Sequence, residues 1–347
     1  PPPTPPPPIY LSSAASDVYK RQLQKDTGHW GDAKHDQAMG HTALPLLALL
    51  KAGVPHEDPQ VQKAFRVLDG MQLKRVYSVA VYLMAIQAAH HPKLDILDTD
   101  VGTQRSKRVK PMAVRAKLTP REVARVEAGR DYLLRAQNAS GLWHYDIKES
   151  PTASGCDLSN AQYALLGLRA AMDAGFKVDA KVWRAALQGL LAHQDAKGPK
   201  VDLLEHRIDE GYAFQSKTRA RVRGFHYTNR KANGPLGENT VWSNPVTGSM
   251  TTAGIACVAI CQEGLWRSRR FKGSDRKKSR EAIRDGLAWM QQNFTVTENP
   301  GHPHKSHHMY YVYGLERKGM LTGRRWIGQH DWYTQGADLL LGSQDER

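Results

Sequence analysis

A small polar cluster lies immediately before a long apolar stretch. Asp157, Ser159 and Asn160 precede the run AQYALLGLRAAMDAGF, which ends at Phe176. A carboxylic acid at the edge of an apolar interior acts as a general acid when neighbouring groups stabilise its conjugate base. The same residues suit a helix start, because Ser159 and Gln162 match the S-x-x-Q capping box. The cap is the favoured interpretation, although these candidate catalytic residues would still line the mouth of a pocket.

The segment GHPHKSHH supplies four histidines before another apolar stretch: His302, His304, His307 and His308. Imidazole nitrogens at this spacing hold zinc when further ligands converge on them. A polar loop is the favoured interpretation, so we expect no metal or other cofactor and keep His302, His304 and His307 only as candidate ligands.

Aromatic residues gather near the same ends of several apolar stretches. Aromatic faces attract a desolvated cation by up to about 2 kcal/mol, which would stabilise a carbocation in a cavity. Simple core packing is the more common role of aromatic side chains at helical spacing. The candidate ligand-cavity residues are Trp143, Tyr145, Tyr163, Trp242, Met250, His308, Tyr310 and Tyr311.

Two kinds of helix-forming segment alternate along the chain. Helices that are apolar on all sides belong inside a protein, whereas amphipathic helices face water on one side. No stretch alternates convincingly at period two, so no sheet is expected. The pattern predicts an all-α fold of helical hairpins in two concentric layers. The apolar segments are 41–54, 77–89, 159–176, 249–265 and 307–321, and the amphipathic ones are 58–71, 119–137, 179–194, 275–294 and 330–344.

Local signals mark several helix ends. Thr119 and Glu122 form a capping box with Pro120 at the first helical position. Gly53 and Gly175 follow apolar segments, where a glycine ends a helix in the left-handed conformation.

A short motif, Q-x-x-x-G-x-W, repeats along the chain. It spans residues 24–30 and 137–143, and a third copy begins at Gln194 but has Lys200 in place of tryptophan. The spacings approximate multiples of about 50 residues, as in repeat proteins. Because the chain stops just after Gln344, we expect a last unit that is cut short and a repeat array truncated at both ends.

The 347 residues are expected to form a single domain over 23–347, with basic inserts near 93–118 and 198–248 as long loops. Residues 1–22 end in DVYKRQ, which resembles a translated sequencing adapter, and are expected to be disordered and adapter-derived. Three cysteines are too few for a disulfide scaffold.

The net charge of +15 is concentrated in 105–117, 217–231 and 267–280. Solvated faces are the favoured interpretation, with an anionic membrane surface as the next candidate partner. No nucleic-acid-binding signature accompanies the charge, so no nucleic acid is expected. The longest uncharged run contains too many polar residues to span a bilayer, which leaves a soluble or peripheral membrane protein.

The repeated motif, the alternating helices and the segment YYVYGLERKGMLTGRRWIGQHDWYTQGADLLLGSQ together resemble the prenyltransferase and squalene-cyclase repeat family. The resemblance covers most of residues 23–347. It implies an α/α toroid whose inner helices enclose an apolar cavity for isoprenoid chains. It also implies that the motif glutamine and tryptophan tie one outer helix to its neighbour.

Triterpene cyclases of this family carry D-x-D-D at the start of an inner helix, and here residues 157–160 read D-L-S-N. The third position provides the proton in the family, and Ser159 is not an acid of that strength. Related protein prenyltransferases bind zinc through Asp, Cys and His, but Cys156 and Asp157 are adjacent and in reversed order. The resemblance therefore implies an isoprenoid-like ligand without squalene protonation, and a terpene cyclase-like isomerase if the protein is an enzyme. The alternative is a non-catalytic binding or scaffolding toroid.

Overall fold

The computed structural model describes residues 23–90, 114–147, 156–209, 212–229, 244–266, 268–269, 271–302 and 306–344. Residues 1–22, most of the insert near 93–118, Trp242 and His304 lie outside the described residues. In the described part the chain is mostly α-helical, which confirms the all-α prediction. None of the described helices is long and apolar enough to cross a lipid bilayer.

The apolar segments form helices that pack against one another in chain order. Each one contacts the next along the chain, from the first to the last. The second and third run in the same direction, because Tyr77 contacts Tyr163 and Ala80 lies against Gly167. A Cβ atom at Gly167 would lie 2.7 Å from the Ala80 Cα, so glycine permits this close approach. These helices are α1 (Ala38–Lys51), α3 (Val76–His90), α5 (Leu158–Asp173), α7 (Gly248–Leu265) and α9 (His308–Thr322).

The amphipathic segments form the helices between them, and each buries one stripe of side chains. α2 packs on α1, α4 on both α3 and α5, α6 and α8 on α7, and α10 on α9. The predicted capping box of Thr119 and Glu122 is confirmed, and Gly53 and Gly175 have the predicted left-handed conformation. These helices are α2 (Pro59–Gly70), α4 (Pro120–Ala136), α6 (Ala180–Leu191), α8 (Gly273–Asn293) and α10 (Trp332–Gly342).

A β-hairpin occupies much of the second basic insert, so the prediction of a long loop without strands is wrong there. β1 (Lys200–Asp209) pairs antiparallel with β2 (Tyr212–Arg221). The sequence of β1 does not show the usual alternation of apolar buried and polar exposed residues. The charged Glu205 is on the buried face, whereas the apolar Leu204 is on the opposite face and stays half-buried. Glu205 accepts a hydrogen bond from Thr218 at 2.9 Å and pairs with Arg324 at 2.8 Å. A short pair, β3 (Trp326–Ile327) and β4 (His330–Asp331), precedes α10.

The repeated glutamines make the same contact at each copy of the motif. The Gln24 side-chain amide donates to the backbone oxygens of Gly28 and Gln60, at 3.1 and 3.0 Å. The Gln137 amide donates to those of Gly141 and Val182, at 2.8 and 3.1 Å. Each amide thus joins its own loop to the next amphipathic helix, α2 or α6.

The third copy follows the same rule, but its aromatic residue is not at position 200. Gln194 donates to the backbone oxygens of Arg223 and Ala282, the latter in α8, at 3.1 and 2.9 Å. Phe225 pairs with Gln194 in an isolated antiparallel β-bridge, as Trp143 does with Gln137. The placement of Lys200 at the aromatic position is therefore wrong. The hairpin is inserted inside the motif, and the segments WHY (143–145) and FHY (225–227) correspond.

Candidate functional site

The N-terminal ends of the apolar helices are anchored by the loops that carry the WHY and FHY segments. The first backbone N–H of α3, at Val76, donates to the Tyr145 oxygen at 2.8 Å. The first of α5, at Leu158, donates to the Tyr227 oxygen at 3.0 Å. These bonds satisfy helix-start donors that have no partner within the helix. They also bring Tyr145 and Tyr227 to the polar cluster at 157–160.

Asp157 is the N-cap of α5, so the prediction of a cap formed by Ser159 and Gln162 is wrong in its residues. The buried Asp157 carboxylate accepts from the Asn160 N–H at 2.8 Å and from its side-chain amide at 2.8 Å. The Ser159 hydroxyl, inside the first turn, donates to the same carboxylate at 2.6 Å. Both oxygens of the carboxylate are therefore engaged as acceptors at the start of the helix.

A tyrosine cluster lies beside Asp157. We use this name for Tyr77, Tyr163, Tyr310 and Tyr313, which come from α3, α5 and α9. The Tyr163 ring lies edge-on to Tyr77, with centroids 4.4 Å apart. It stacks near-parallel to Tyr310 and Tyr313, at 6.4 and 6.2 Å. The four side chains are half-buried, so their rings present aromatic surface between the helices.

The cluster makes a polar contact with α5, and the phenols of Tyr163 and Tyr310 are neutral throughout the physiological range. The Tyr310 hydroxyl donates to the Gln162 side-chain oxygen at 2.5 Å. Burial raises the pKa of Tyr163 and of Tyr310 well above the ordinary value, and the neighbouring phenols raise it further. Neutral phenols keep their hydroxyl donors, and their rings offer negative faces to a cation.

Two buried polar atoms near this cluster have no hydrogen-bond partner among the described residues: Gln162 Nε2 and His193 Nε2. The His193 Nδ1 lies 2.9 Å from the Gly189 oxygen and must carry the proton, because a carbonyl only accepts. Burial lowers the pKa of His193, and this effect outweighs the opposing field of Asp157. The neutral ring therefore directs a lone pair from Nε2 into the interior. Sequence reasoning missed His193, whose only signal is its position before Gln194.

The predicted cavity residues fall in different environments. Tyr163 and Tyr310 meet in the tyrosine cluster, and Tyr145 is exposed at the start of α3. Trp143 is fully buried, and its ring N–H donates to the Leu133 oxygen at 2.7 Å. Tyr311 is also fully buried, and its hydroxyl donates to the Thr295 oxygen at 2.9 Å.

Two further predicted cavity residues lie at the starts of α7 and α9. The Met250 side chain is buried in the first turn of α7. The His308 Nε2 lies 2.7 Å from the Val296 oxygen at the start of α9.

Of the three histidines predicted as candidate metal ligands, the described residues include two, His302 and His307. His302 and His307 pack edge-on with ring centroids 5.1 Å apart. The described residues contain one group of three ligand side chains close enough to share an ion, and it includes neither of them. That group is His56, His90 and Glu122, at the far end of α3 from Tyr77.

Two of the basic segments meet in a groove between the hairpin and α8. The groove has a volume of about 940 Å³ and adjoins a second one of about 490 Å³, with Glu281 and Arg284 on the walls of both. Asp285 partly offsets the charge, since it pairs with Arg223 at 2.8 Å. The basic side chains along the two grooves include Lys200, Arg219, Arg221, Arg276, Lys277 and Arg280.

A scan against protein-family models finds no match to this chain, and a search of curated proteins finds no significant match. The described chain is a mostly α-helical protein in which the repeated glutamines link successive helices and a tyrosine cluster lies at one end of the apolar helices.

Proposed function

We propose that the chain is a prenyltransferase and squalene-cyclase repeat protein, arranged as an α/α toroid. The support is the repeated contact of Gln24, Gln137 and Gln194, each joining its own loop to the next amphipathic helix. The apolar helices also follow one another as neighbours in chain order. A small rotation between successive repeats curves a stacked array, and a toroid is the closed form of such a curve.

The proposed function is to hold an isoprenoid-like apolar molecule against the tyrosine cluster. The observation that carries it is the stack of Tyr163 on Tyr310 and Tyr313, with the unpaired Gln162 Nε2 beside it. Half-buried rings between helices provide apolar surface for a hydrocarbon chain. Gln162 Nε2, which has no hydrogen-bond partner among the described residues, provides a position for the polar end of that molecule.

Alkene protonation is not part of this proposal. In the proposed family the acid occupies the position of Ser159, and here that hydroxyl donates to Asp157. Asp157 itself accepts three hydrogen bonds, so both of its oxygens are engaged in the helix cap. The rings remain suited to stabilising a cation by about 2 kcal/mol at most, so cyclase-like isomerisation would require an acid from outside this cluster. A binding or scaffolding protein is the alternative that the Asp157 cap favours.

The basic groove between the hairpin and α8 supports a second proposal, that this face associates with an anionic membrane surface. Arg219 and Arg221 of the hairpin line one groove, and Lys277 and Arg280 of α8 line the adjoining one. Each basic side chain near an anionic surface contributes about 1 kcal/mol, and the attraction weakens with salt. Sedimentation with phosphatidylserine-containing vesicles at low and high salt tests it, with phosphatidylcholine vesicles as the control.

Mass spectrometry of lipid that copurifies with the protein tests the ligand proposal directly. Farnesol and squalene then serve as added probes, with binding followed by tryptophan fluorescence. Replacing Tyr163 with leucine removes the central ring and is expected to weaken binding about 2- to 10-fold, from the 0.5–1.5 kcal/mol of an aromatic contact. Tyr333→Leu, on α10, is the matched control and is expected to leave binding unchanged. A protein that carries no isoprenoid and binds neither probe would favour the scaffold.

A further inference from the structure

Three metal-binding side chains from separate parts of the chain meet away from the tyrosine cluster. His56 lies in the loop between α1 and α2, His90 is the last residue of α3, and Glu122 is in the first turn of α4. Their ligand atoms all lie within 4.8 Å of one another. His90 lies 13 residues beyond Tyr77 on α3, which places this group about 20 Å along the helix from the cluster.

One carboxylate oxygen is the common point of the group. Glu122 Oε1 lies 2.8 Å from His90 Nε2 and 3.7 Å from His56 Nε2. A tetrahedral zinc with bonds of about 2.0–2.1 Å holds its ligand atoms about 3.3 Å apart. The two distances lie on either side of that value, and each is within about half an ångström of it.

The surroundings hold the carboxylate in place and leave one side open. The other oxygen of Glu122, Oε2, accepts from the Thr119 N–H and from its hydroxyl, both at 2.8 Å. Such supporting bonds fix the orientation of a metal-binding carboxylate. The His90 and Glu122 side chains are 9% and 10% exposed, whereas His56 is 22% exposed. Solvent thus reaches the group from the His56 side.

The hydrogen bond between His90 and Glu122 does not by itself explain why the His56 side chain lies beside them. His90 and Glu122 satisfy each other, but 3.7 Å is too long for a hydrogen bond from His56. The His56 ring nevertheless lies beside that of His90, with centroids 4.9 Å apart, and its Nε2 faces the same oxygen. Two imidazoles and one carboxylate thus converge on one point. Zinc sites with two histidines and one glutamate use the same set of ligands.

We propose that His56, His90 and Glu122 form a zinc-binding site, with the fourth position taken by water on the His56 side. The ligand set of nitrogen and carboxylate oxygen favours Zn²⁺ over Ca²⁺ or Mg²⁺, which prefer all-oxygen sites. The site is independent of the ligand proposed for the tyrosine cluster, so either proposal can fail alone.

The test uses the whole chain, stripped with EDTA and titrated with Zn²⁺ in a calorimeter, with Co²⁺ absorption as a spectroscopic readout. One equivalent of each metal is expected to bind, and Co²⁺ is expected to give the intense visible bands of a four-coordinate site. His90→Ala is expected to weaken Zn²⁺ binding more than about 100-fold, beyond the effect of losing a supporting residue. Glu122→Gln keeps the capping box, since glutamine also suits that position, yet loses the anionic ligand.

His35→Ala is the matched control. His35 and His41 stack with centroids 4.6 Å apart but belong to no three-ligand group in the described chain. This variant is expected to keep the bound equivalent and the Co²⁺ bands. Circular dichroism of the metal-free variants establishes that each is folded. The proposal is overturned if the wild type binds no stoichiometric Zn²⁺, or if folded His90→Ala and Glu122→Gln proteins bind it as tightly as the wild type.

Discussion

Replacing Asp157 with alanine separates the capping role of this residue from a catalytic one. The change removes the acceptor of the Asn160 N–H and of the Ser159 hydroxyl. It also leaves the Asn160 side-chain amide, whose residue is only 2% exposed, without the acceptor that it has at 2.8 Å. The perturbation is therefore local to the first turn of α5.

The expected loss of stability follows from these contacts. Loss of an N-cap side chain costs about 1 kcal/mol. A buried donor left without a partner costs about 1–3 kcal/mol more. We therefore expect the free energy of unfolding of Asp157→Ala to fall by about 2–4 kcal/mol, a large part of the 5–15 kcal/mol of an ordinary protein.

Urea denaturation at neutral pH measures this difference, and Asp157→Asn is the matched control. Asparagine is as good an N-cap as aspartate, and rotation of the Asn160 amide restores an acceptor, so a loss below about 1 kcal/mol is expected. Ser159→Ala removes one hydrogen bond and should cost about 1 kcal/mol. If the free energy of unfolding of Asp157→Ala lies within about 0.5 kcal/mol of the wild-type value while ligand turnover disappears, Asp157 does not act mainly as a cap.

Two further changes test the fold. Gln137→Ala removes the bond to the loop at Gly141 and the bond that joins this loop to α6, and we expect urea unfolding to show a loss of about 1–3 kcal/mol; a loss below about 0.5 kcal/mol would contradict the linking role. Burial lowers the pKa of the fully buried Lys318 to about 7. Between about pH 7 and about 10.4 the unfolded chain therefore binds more protons than the folded one. The free energy of unfolding of the wild type should rise over this range by up to about 1.4 kcal/mol per pH unit. Lys318→Met should lack this rise, and parallel stability curves for the two proteins from pH 7 to 9 would show the reasoning to be wrong.

The helices were predictable because their signals are local. Each apolar or amphipathic segment carries its own pattern within a few turns. The capping box at Thr119 and the glycines at 53 and 175 act over three or four residues, and all are confirmed. The contact of Gln137 with the loop at Gly141 is equally local, whereas its bond to Val182 depends on packing.

The candidate site was predictable only in part. The sequence places Tyr163 and Tyr310 near helix starts, but their contact depends on how α5 and α9 approach each other. The partner of Gln162 is Tyr310, 148 residues away, so its assignment to a local capping box was wrong. A tertiary hydrogen bond competes with the local cap, and Asp157 satisfies the helix start in its place.

The sequence by itself determined that the chain forms alternating apolar and amphipathic helices, since hydrophobic periodicity and capping act between residues close along the chain. Tertiary structure alone decided that Phe225 takes the aromatic position of the third motif, because a whole hairpin is inserted between it and Gln194. It also decided that His56, His90 and Glu122 meet, because their separation of more than thirty residues is closed only by the packing of α2, α3 and α4. Side chains distant in sequence interact where helices pack, and no local pattern encodes that geometry.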